Sequence, residues 1–152
     1  FTGFSTLMMA LALPSDGLLI GCDKNPQWVD VGRPYWQAMG VDHKIDCRIG
    51  SALDTLQQLV DDGHRATMDM IFLDADKIHY AQYYELSLLL LRQGGVLVID
   101  NTLWLANDFI SRQAFPAARS VHAVNQTIQQ DARVTAVTLP VGSGMTMVIK
   151  RR

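Results

Sequence analysis

A chain of 152 residues is the size of one globular domain. With 49% apolar and 18% charged residues it can bury a sizeable core, which excludes disorder over most of its length. Thirteen basic against fifteen acidic side chains give a net charge of −2, and no basic run precedes Lys150-Arg151-Arg152, which argues against a nucleic-acid surface.

The apolar stretches Leu7–Pro14 and Leu86–Leu91 are far shorter than the roughly 18 residues a membrane span needs, so a soluble chain without a membrane partner is expected. Leu7–Leu13 with Ala10-Leu11-Ala12 imitates a secretory signal and its cleavage site, but no Lys or Arg precedes it and Asp16 follows at once, so a cytoplasmic location is expected. Cys22 and Cys47 lie in separate strand-like runs without a CxxC or a His cluster, so neither a disulfide nor zinc is indicated. The chain starts at Phe1 without an initiator Met, as a fragment would.

In chain order, Leu7, Met8, Leu11 and Leu13 suit a helix stopped by Pro14 and Gly17, and Leu18–Cys22 suits a strand ending at Asp23. Asn25-Pro26 opens a helix that Gly40 stops, and Ile45–Ile49 is the next strand. Ser51 caps a helix that runs to Asp62 with Gly63 as terminator, and Met68–Leu73 is a strand stopped at Asp74-Ala75-Asp76. Tyr80–Arg92 is a helix ended by Gly94-Gly95, and Val96–Ile99 is a strand stopped at Asp100-Asn101. After an irregular stretch at Thr102–Phe115, Pro116–Gln130 is a helix, and Val134–Leu139 with Met145–Ile149 form an antiparallel hairpin around Gly142-Ser143-Gly144.

Strands alternating with helices of 10 to 15 residues predict an α/β, Rossmann-like fold with a mostly parallel sheet, helices on both faces and an antiparallel C-terminal hairpin. No linker or repeat interrupts residues 1–152, so a single domain is expected. The methionines, Met8 and Met70 among them, are expected in the core, and none of the four histidines is given a catalytic role.

In such sheets ligands bind at the carboxyl ends of the strands. Those ends carry Asp23, the Asp74-Ala75-Asp76-Lys77 cluster and Asp100-Asn101. Any one of these carboxylates could simply cap a helix, but together they repel one another unless a cation or a hydroxyl-rich ligand meets them. Asp74, Asp100 and Asn101 offer hard oxygen donors suited to Mg²⁺ or Ca²⁺, although Asp-Asn also starts turns. Asp23 can accept hydrogen bonds from the ribose hydroxyls of an adenosine-containing cofactor. Thr2-Gly3-Phe4-Ser5 holds one glycine and is not GxGxxG, which favours a cofactor without a pyrophosphate. Lys77 is either a solvated lysine or a base beside a bound dication.

The segments Phe1-Thr2-Gly3-Phe4-Ser5, Cys22-Asp23, Gly50-Ser51-Ala52, Phe72-Leu73-Asp74-Ala75-Asp76-Lys77, Ile99-Asp100-Asn101-Thr102-Leu103-Trp104 and Leu139-Pro140-Val141-Gly142 give the chain its family look. It resembles the cation-dependent, S-adenosylmethionine-dependent O-methyltransferases of the caffeoyl-CoA and catechol type along essentially its whole length. The resemblance implies a class I methyltransferase sheet and transfer of a methyl group to a hydroxyl of a catechol-like aromatic. It assigns Gly3, Ser5, Asp23, Ser51, Ala52, Asp74, Asp76 and Tyr83 to S-adenosylmethionine. Asp23 would hold the ribose, Ser5 the amino-acid end, Ser51 and Ala52 the adenine, and Asp76 with Tyr83 the methionine portion. By the same resemblance Asp74, Asp100 and Asn101 would hold a divalent cation, Mg²⁺ before Mn²⁺ or Ca²⁺. Lys77 would be the base, and Trp104 would wall the substrate ring.

A homodimer is implied in the same way. Members of this family carry a further strand and helices ahead of the Thr-Gly, so the natural polypeptide is expected to extend upstream of Phe1. Two other readings remain at this stage: a nicotinamide-dependent oxidoreductase, which shares the strand–helix alternation, and a non-catalytic truncated remnant.

Overall fold

The computed structural model describes residues 1–103 and 116–151. The chain divides into two compact units, Phe1–Thr55 and Leu56–Arg152, and the boundary falls inside one helix. The sequence reading places no boundary there.

In the first unit, α1 (Phe4–Ala12) leads to β1 (Leu19–Asp23), α2 (Pro26–Ala38) and β2 (Ile45–Ile49). Asn25 caps α2 as expected: its Oδ1 accepts the Gln27 N–H at 2.9 Å, with Pro26 in the first turn where its missing N–H costs nothing. β1 and β2 are parallel, with Leu19 opposite Ile45 and Asp23 opposite Ile49. The core here is Ala10, Val29, Trp36 and Val41, flanked by Leu7, Leu19, Ile45 and Cys47. Lys44 reaches the end of α1, donating to the Leu13 carbonyl at 2.9 Å, where a cation complements the helix dipole.

α3 (Ala52–Asp61) crosses the boundary, and Ser51 Oγ accepts the Asp54 N–H at 3.3 Å, the expected cap. The second unit continues with β3 (Met68–Leu73), a short 3₁₀ turn at Lys77–His79, α4 (Tyr80–Leu90), β4 (Leu91–Asp100), α5 (Pro116–Gln130), β5 (Val134–Leu139) and β6 (Met145–Lys150). Its sheet runs β3-β4-β6-β5, parallel between β3 and β4 and antiparallel through the C-terminal strands. The architecture is the expected α/β one, with parallel crossover pairs followed by an antiparallel hairpin. The hydrogen-bonded ladders form two sheets, β1-β2 and the four-stranded one.

Three expectations are corrected. α4 stops at Leu90, two residues early, because Leu91 turns extended and pairs with Met68. β4 then runs through Gly94-Gly95 instead of starting after them. A register shift between Met68 and Met70 absorbs the extra residues of β4, with Gly94 at φ +75°. Cover on both faces holds for β4, where Leu97 and Ile99 on one face and Val98 on the other are buried, but not for every strand. Met70 of β3 and Val137 of β5 are half-exposed, and Met8 on α1 likewise lies outside the core. An apolar strand permits burial on both faces; whether a neighbour arrives to cover it is a tertiary matter.

Among the described residues no helix is long and apolar enough to cross a membrane. Both cysteines are free and half-buried, and burial pushes each thiol pKa up, which disfavours the reactive thiolate.

Candidate active site

In the second unit the parallel register places two acids together. Leu73 of β3 pairs with Ile99 of β4, and the next residues are Asp74 and Asp100. Neighbouring strands lie about 4.8 Å apart, so these carboxylates leave adjacent strand ends. Tyr80, fully buried at the start of α4, reports on the field they create. Burial pushes its hydroxyl pKa strongly up, and the charges of Asp74, Asp100 and Asp76 push it further. It therefore stays neutral, and its hydroxyl donates a hydrogen bond to the Asp100 carbonyl at 3.1 Å.

Each acid uses one oxygen internally. Asp74 Oδ1 accepts from Lys77 Nζ at 3.0 Å, and Asp100 Oδ1 accepts the Asn101 N–H at 2.7 Å. Lys77 also donates to the Ala75 carbonyl at 3.2 Å and lies 5.0 Å over the Tyr80 ring. Its side chain is only 15% exposed, so it is an anchored lysine and not a solvated one. Asn101 adopts φ +60°, a left-handed turn that asparagine tolerates better than most residues.

The turn after Asn101 is clamped from the far end of the chain. The Thr102 N–H donates to the Gly144 carbonyl at 3.0 Å and the Leu103 N–H to the Ser143 carbonyl at 2.9 Å. Asn125 of α5 donates to the Thr102 carbonyl at 2.8 Å. Buried Thr102 accepts from Thr146 Oγ1 at 2.9 Å, and Thr146 in turn bonds Thr138. Gly144 sits at φ +86°, and a Cβ there would come within 2.4 Å of Leu103 Cγ. The Gly142-Ser143-Gly144 segment, legible in sequence only as a hairpin turn, is thus the clasp that holds the Asp100-Asn101 strand end.

Asp76 is gripped on both sides. Tyr83 Oη donates to its Oδ2 at 2.9 Å, and the His79 Nδ1 N–H donates to its Oδ1. Sequence reasoning found Asp76 and Tyr83 but passed over His79; its position three residues after an acid, entering a helix, was the available signal.

The first unit holds Gly3, Ser5, Asp23, Ser51 and Ala52. Gly3 caps α1 at φ +79°, and its carbonyl accepts the Trp36 indole N–H at 3.1 Å, so closely that a Cβ on Gly3 would lie 2.6 Å from Trp36 Cζ2. Ser5 is exposed in the first turn of α1. Asp23 ends β1, and its carbonyl accepts the Gly50 N–H at 2.9 Å, which brings Ser51 and Ala52 to the neighbouring strand end. Its Oδ1 accepts the Asn25 N–H at 2.8 Å, and its Oδ2 accepts from the Phe1 α-amino group at 2.5 Å. Burial opposes ionisation of the Asp23 carboxyl, while the backbone N–H groups of Asn25 and Lys24 favour it. Asp23 is therefore ionised and acceptor-only at neutral pH.

Trp104 lies outside the described residues. Among the described residues no three His, Cys, Asp or Glu side chains surround a common point. The expected ligand set has only two carboxylates, completed by the Asn101 amide. A cleft of about 720 Å³ opens beside α5 and β5, lined by Asn125, Gln129, Thr138 and Thr146 among others, and none of the strand-end carboxylates lines it.

A family model described as O-methyltransferase matches residues 1–151. Probable caffeoyl-CoA O-methyltransferase 1 of Dictyostelium discoideum is 42% identical over 156 residues, covering 99% of this chain and 66% of its own length. Catechol O-methyltransferase domain-containing protein 1 of Mus musculus is 38% identical, covering 99% of this chain and 57% of its own. Among solved structures, the O-methyltransferase TomG from Streptomyces achromogenes, in complex with SAM, superposes with a TM-score of 0.90 at 28% identity over 100% of this chain and 70% of that one. The O-methyltransferase from Bacillus cereus, in complex with SAH, gives 0.87 at 28% identity, covering 99% and 70%. The chain spans about half to two thirds of the length of the curated relatives it matches. Matched along nearly all of its residues by the family model and by relatives of this identity, the chain belongs to the O-methyltransferase family.

Proposed function

We propose that this protein is an S-adenosylmethionine-dependent, divalent-cation-dependent O-methyltransferase that methylates one hydroxyl of a vicinal dihydroxy aromatic small molecule. The observation that carries this reading is the register Leu73–Ile99, which delivers Asp74 and Asp100 side by side with Lys77 anchored on Asp74. Family membership supports methyl transfer to oxygen and sets aside the nicotinamide oxidoreductase.

The donor chemistry fits a hard dication. Asp74 and Asp100 each commit one carboxylate oxygen to a protein donor and keep Oδ2 for another partner among the described residues. With the Asn101 amide these are oxygen ligands only, the preference of Mg²⁺, with Mn²⁺ and Ca²⁺ as substitutes. A bound dication supplies Lewis acidity that lowers the pKa of a chelated hydroxyl towards neutrality.

Lys77 Nζ, tethered beside Asp74, takes the hydroxyl proton as a neutral amine, whose two N–H groups serve Asp74 and the Ala75 carbonyl while its lone pair accepts. Asp76 receives the methionine portion of the cofactor with Tyr83 behind it, and Asp23 accepts from the ribose hydroxyls. Ser5 meets the amino-acid end, Gly3 lines the cofactor site, and Ser51 and Ala52 border the adenine. Trp104 walls the aromatic ring. The protein acts as a cytoplasmic homodimer in this reading.

The deciding experiment measures methyl transfer from S-adenosylmethionine to a catechol ester by the complete polypeptide with Mg²⁺. Activity should vanish with chelator and in Asp74→Asn. Activity that survives chelation removes the cation from the mechanism. Equal turnover of a monohydroxy phenol removes the diol. No transfer at all despite cofactor binding leaves a non-catalytic remnant.

A further inference from the structure

Asp74 and Asp100 leave different strands, and one side chain reaches both strand ends. Tyr80, the first residue of α4, is fully buried. Its hydroxyl donates to the Asp100 carbonyl at 3.1 Å. The centre of its ring lies 5.0 Å from Nζ of Lys77, the lysine tied to Asp74.

The Asp100 carbonyl belongs to the peptide plane that enters Asn101. The N–H of that plane donates to Asp100 Oδ1 at 2.7 Å, so the plane is held at its carbonyl by Tyr80 and at its N–H by Asp100. The following plane is held where the Thr102 N–H donates to the Gly144 carbonyl. Between them Asn101 keeps φ +60°, a backbone conformation that persists only where the surroundings fix it. Two fixed planes also set the direction of the Asn101 Cα–Cβ bond.

We propose that Tyr80 is a positioning residue that holds the Asp100-Asn101 turn with its hydroxyl and the Lys77 amine with its ring, which keeps the cation ligands and the base in one fixed relation. The inference rests on the reading above that Asp74, Asp100 and Asn101 hold a divalent cation and that Lys77 is the base. A phenol suits the task because its hydroxyl and its ring face are parts of one rigid plane. Close packing at full burial resists rotation of that plane.

The test uses the complete polypeptide and reads Mn²⁺ binding by electron paramagnetic resonance beside calorimetric binding of S-adenosylhomocysteine. Tyr80→Phe keeps the ring and removes the donor. It should weaken Mn²⁺ binding about tenfold, the scale on which partners behind a metal site act. Binding of S-adenosylhomocysteine should stay within about twofold of the parent, less than one hydrogen bond accounts for. Tyr80→Leu removes the ring as well. At saturating Mn²⁺ its kcat should fall at least about tenfold below that of Tyr80→Phe, because a displaced Nζ loses its alignment with the hydroxyl.

Unchanged Mn²⁺ binding in Tyr80→Phe overturns the proposal whether or not Tyr80→Leu folds. Equal weakening of Mn²⁺ and S-adenosylhomocysteine means general damage and overturns it too. Equal kcat in the two folded variants at saturating Mn²⁺ overturns the part given to the ring. Asp74→Asn and Asp100→Asn separate the two levels. If neither weakens Mn²⁺ binding, the reading of the cation site fails and the role of Tyr80 with it. If both weaken it and Tyr80→Phe does not, only the role of Tyr80 fails.

Discussion

Leu73 and Ile99 are in register on parallel strands, and the consequence is that Asp74 and Asp100 emerge as immediate neighbours. Two like charges so placed are self-repulsive without a cation. Asp100→Asn keeps the oxygen that accepts the Asn101 N–H, so it should not lower the melting temperature of the metal-free protein. It should weaken Mn²⁺ binding, read by electron paramagnetic resonance, by roughly 10- to 100-fold, the range seen when metal-site partners are lost. Unaltered Mn²⁺ affinity in both Asp100→Asn and Asp74→Asn would show that the pair holds no ion.

The Thr102–Gly144 and Leu103–Ser143 bonds make the β5–β6 turn a support for the same strand end. Gly144→Ala has no room for its methyl beside Leu103 and no favourable backbone at φ +86°. Overpacking of this kind costs about 1–3 kcal/mol, with roughly 1–2 kcal/mol more for the left-handed conformation. Urea unfolding should show that loss. Gly142→Ala, where a Cβ meets no atom within 4 Å, should cost only the backbone share. Equal losses in the two variants would contradict the clasp.

Lys77 is held by Asp74 and the Ala75 carbonyl on one side and the Tyr80 ring on the other. If Nζ takes the substrate proton, Lys77→Met should lower kcat by about 10²- to 10⁴-fold, the span of general-base contributions. The KM for S-adenosylmethionine should change little. A loss confined to KM would move Lys77 from proton transfer to binding.

Tyr84 donates to Asp131, 47 positions further along the chain, at 2.9 Å, and Arg133 bridges Asp131 and Glu85. The Arg133 guanidinium pulls the Asp131 carboxyl down to about 2 from its ordinary 3.8, with Tyr84 adding to the effect against burial. A depressed acid contributes stability that is complete above its unfolded pKa and disappears as pH falls through the folded one. The gap in urea midpoint between the parent and Asp131→Asn should therefore hold from pH 7 to about 4 and close towards pH 2. Burial pushes Tyr84 well above its ordinary 10, and Asp131 adds to the shift, so its contribution fades only above pH 10. A gap that stays constant down to pH 2 would rule out the ionised Asp131 as its source.

Much of the fold was legible because its signals are local. The cap at Asn25 with Pro26 behind it, the cap at Ser51, and the acids ending each apolar run are all decided within about four residues. The Leu90–Leu91 boundary was misread because two opposing influences met there. Helix propensity favours continuing to Arg92, but strand pairing with Met68 across the sheet captures Leu91 first. Met70 and Val137 look like core residues in sequence, and their exposure depends on which neighbours cover them.

The amino-acid order alone determined the α/β alternation, the acids at the strand ends and the family, because periodicity, capping and motif spacing act through short stretches of chain. Tertiary structure decided which of those acids are partnered and by what. Thr102 meets Thr146 across 44 positions. Tyr84 meets Asp131 across 47. Hydrogen bonds of that reach leave no periodic trace, since their geometry exists only after the sheet has set its register.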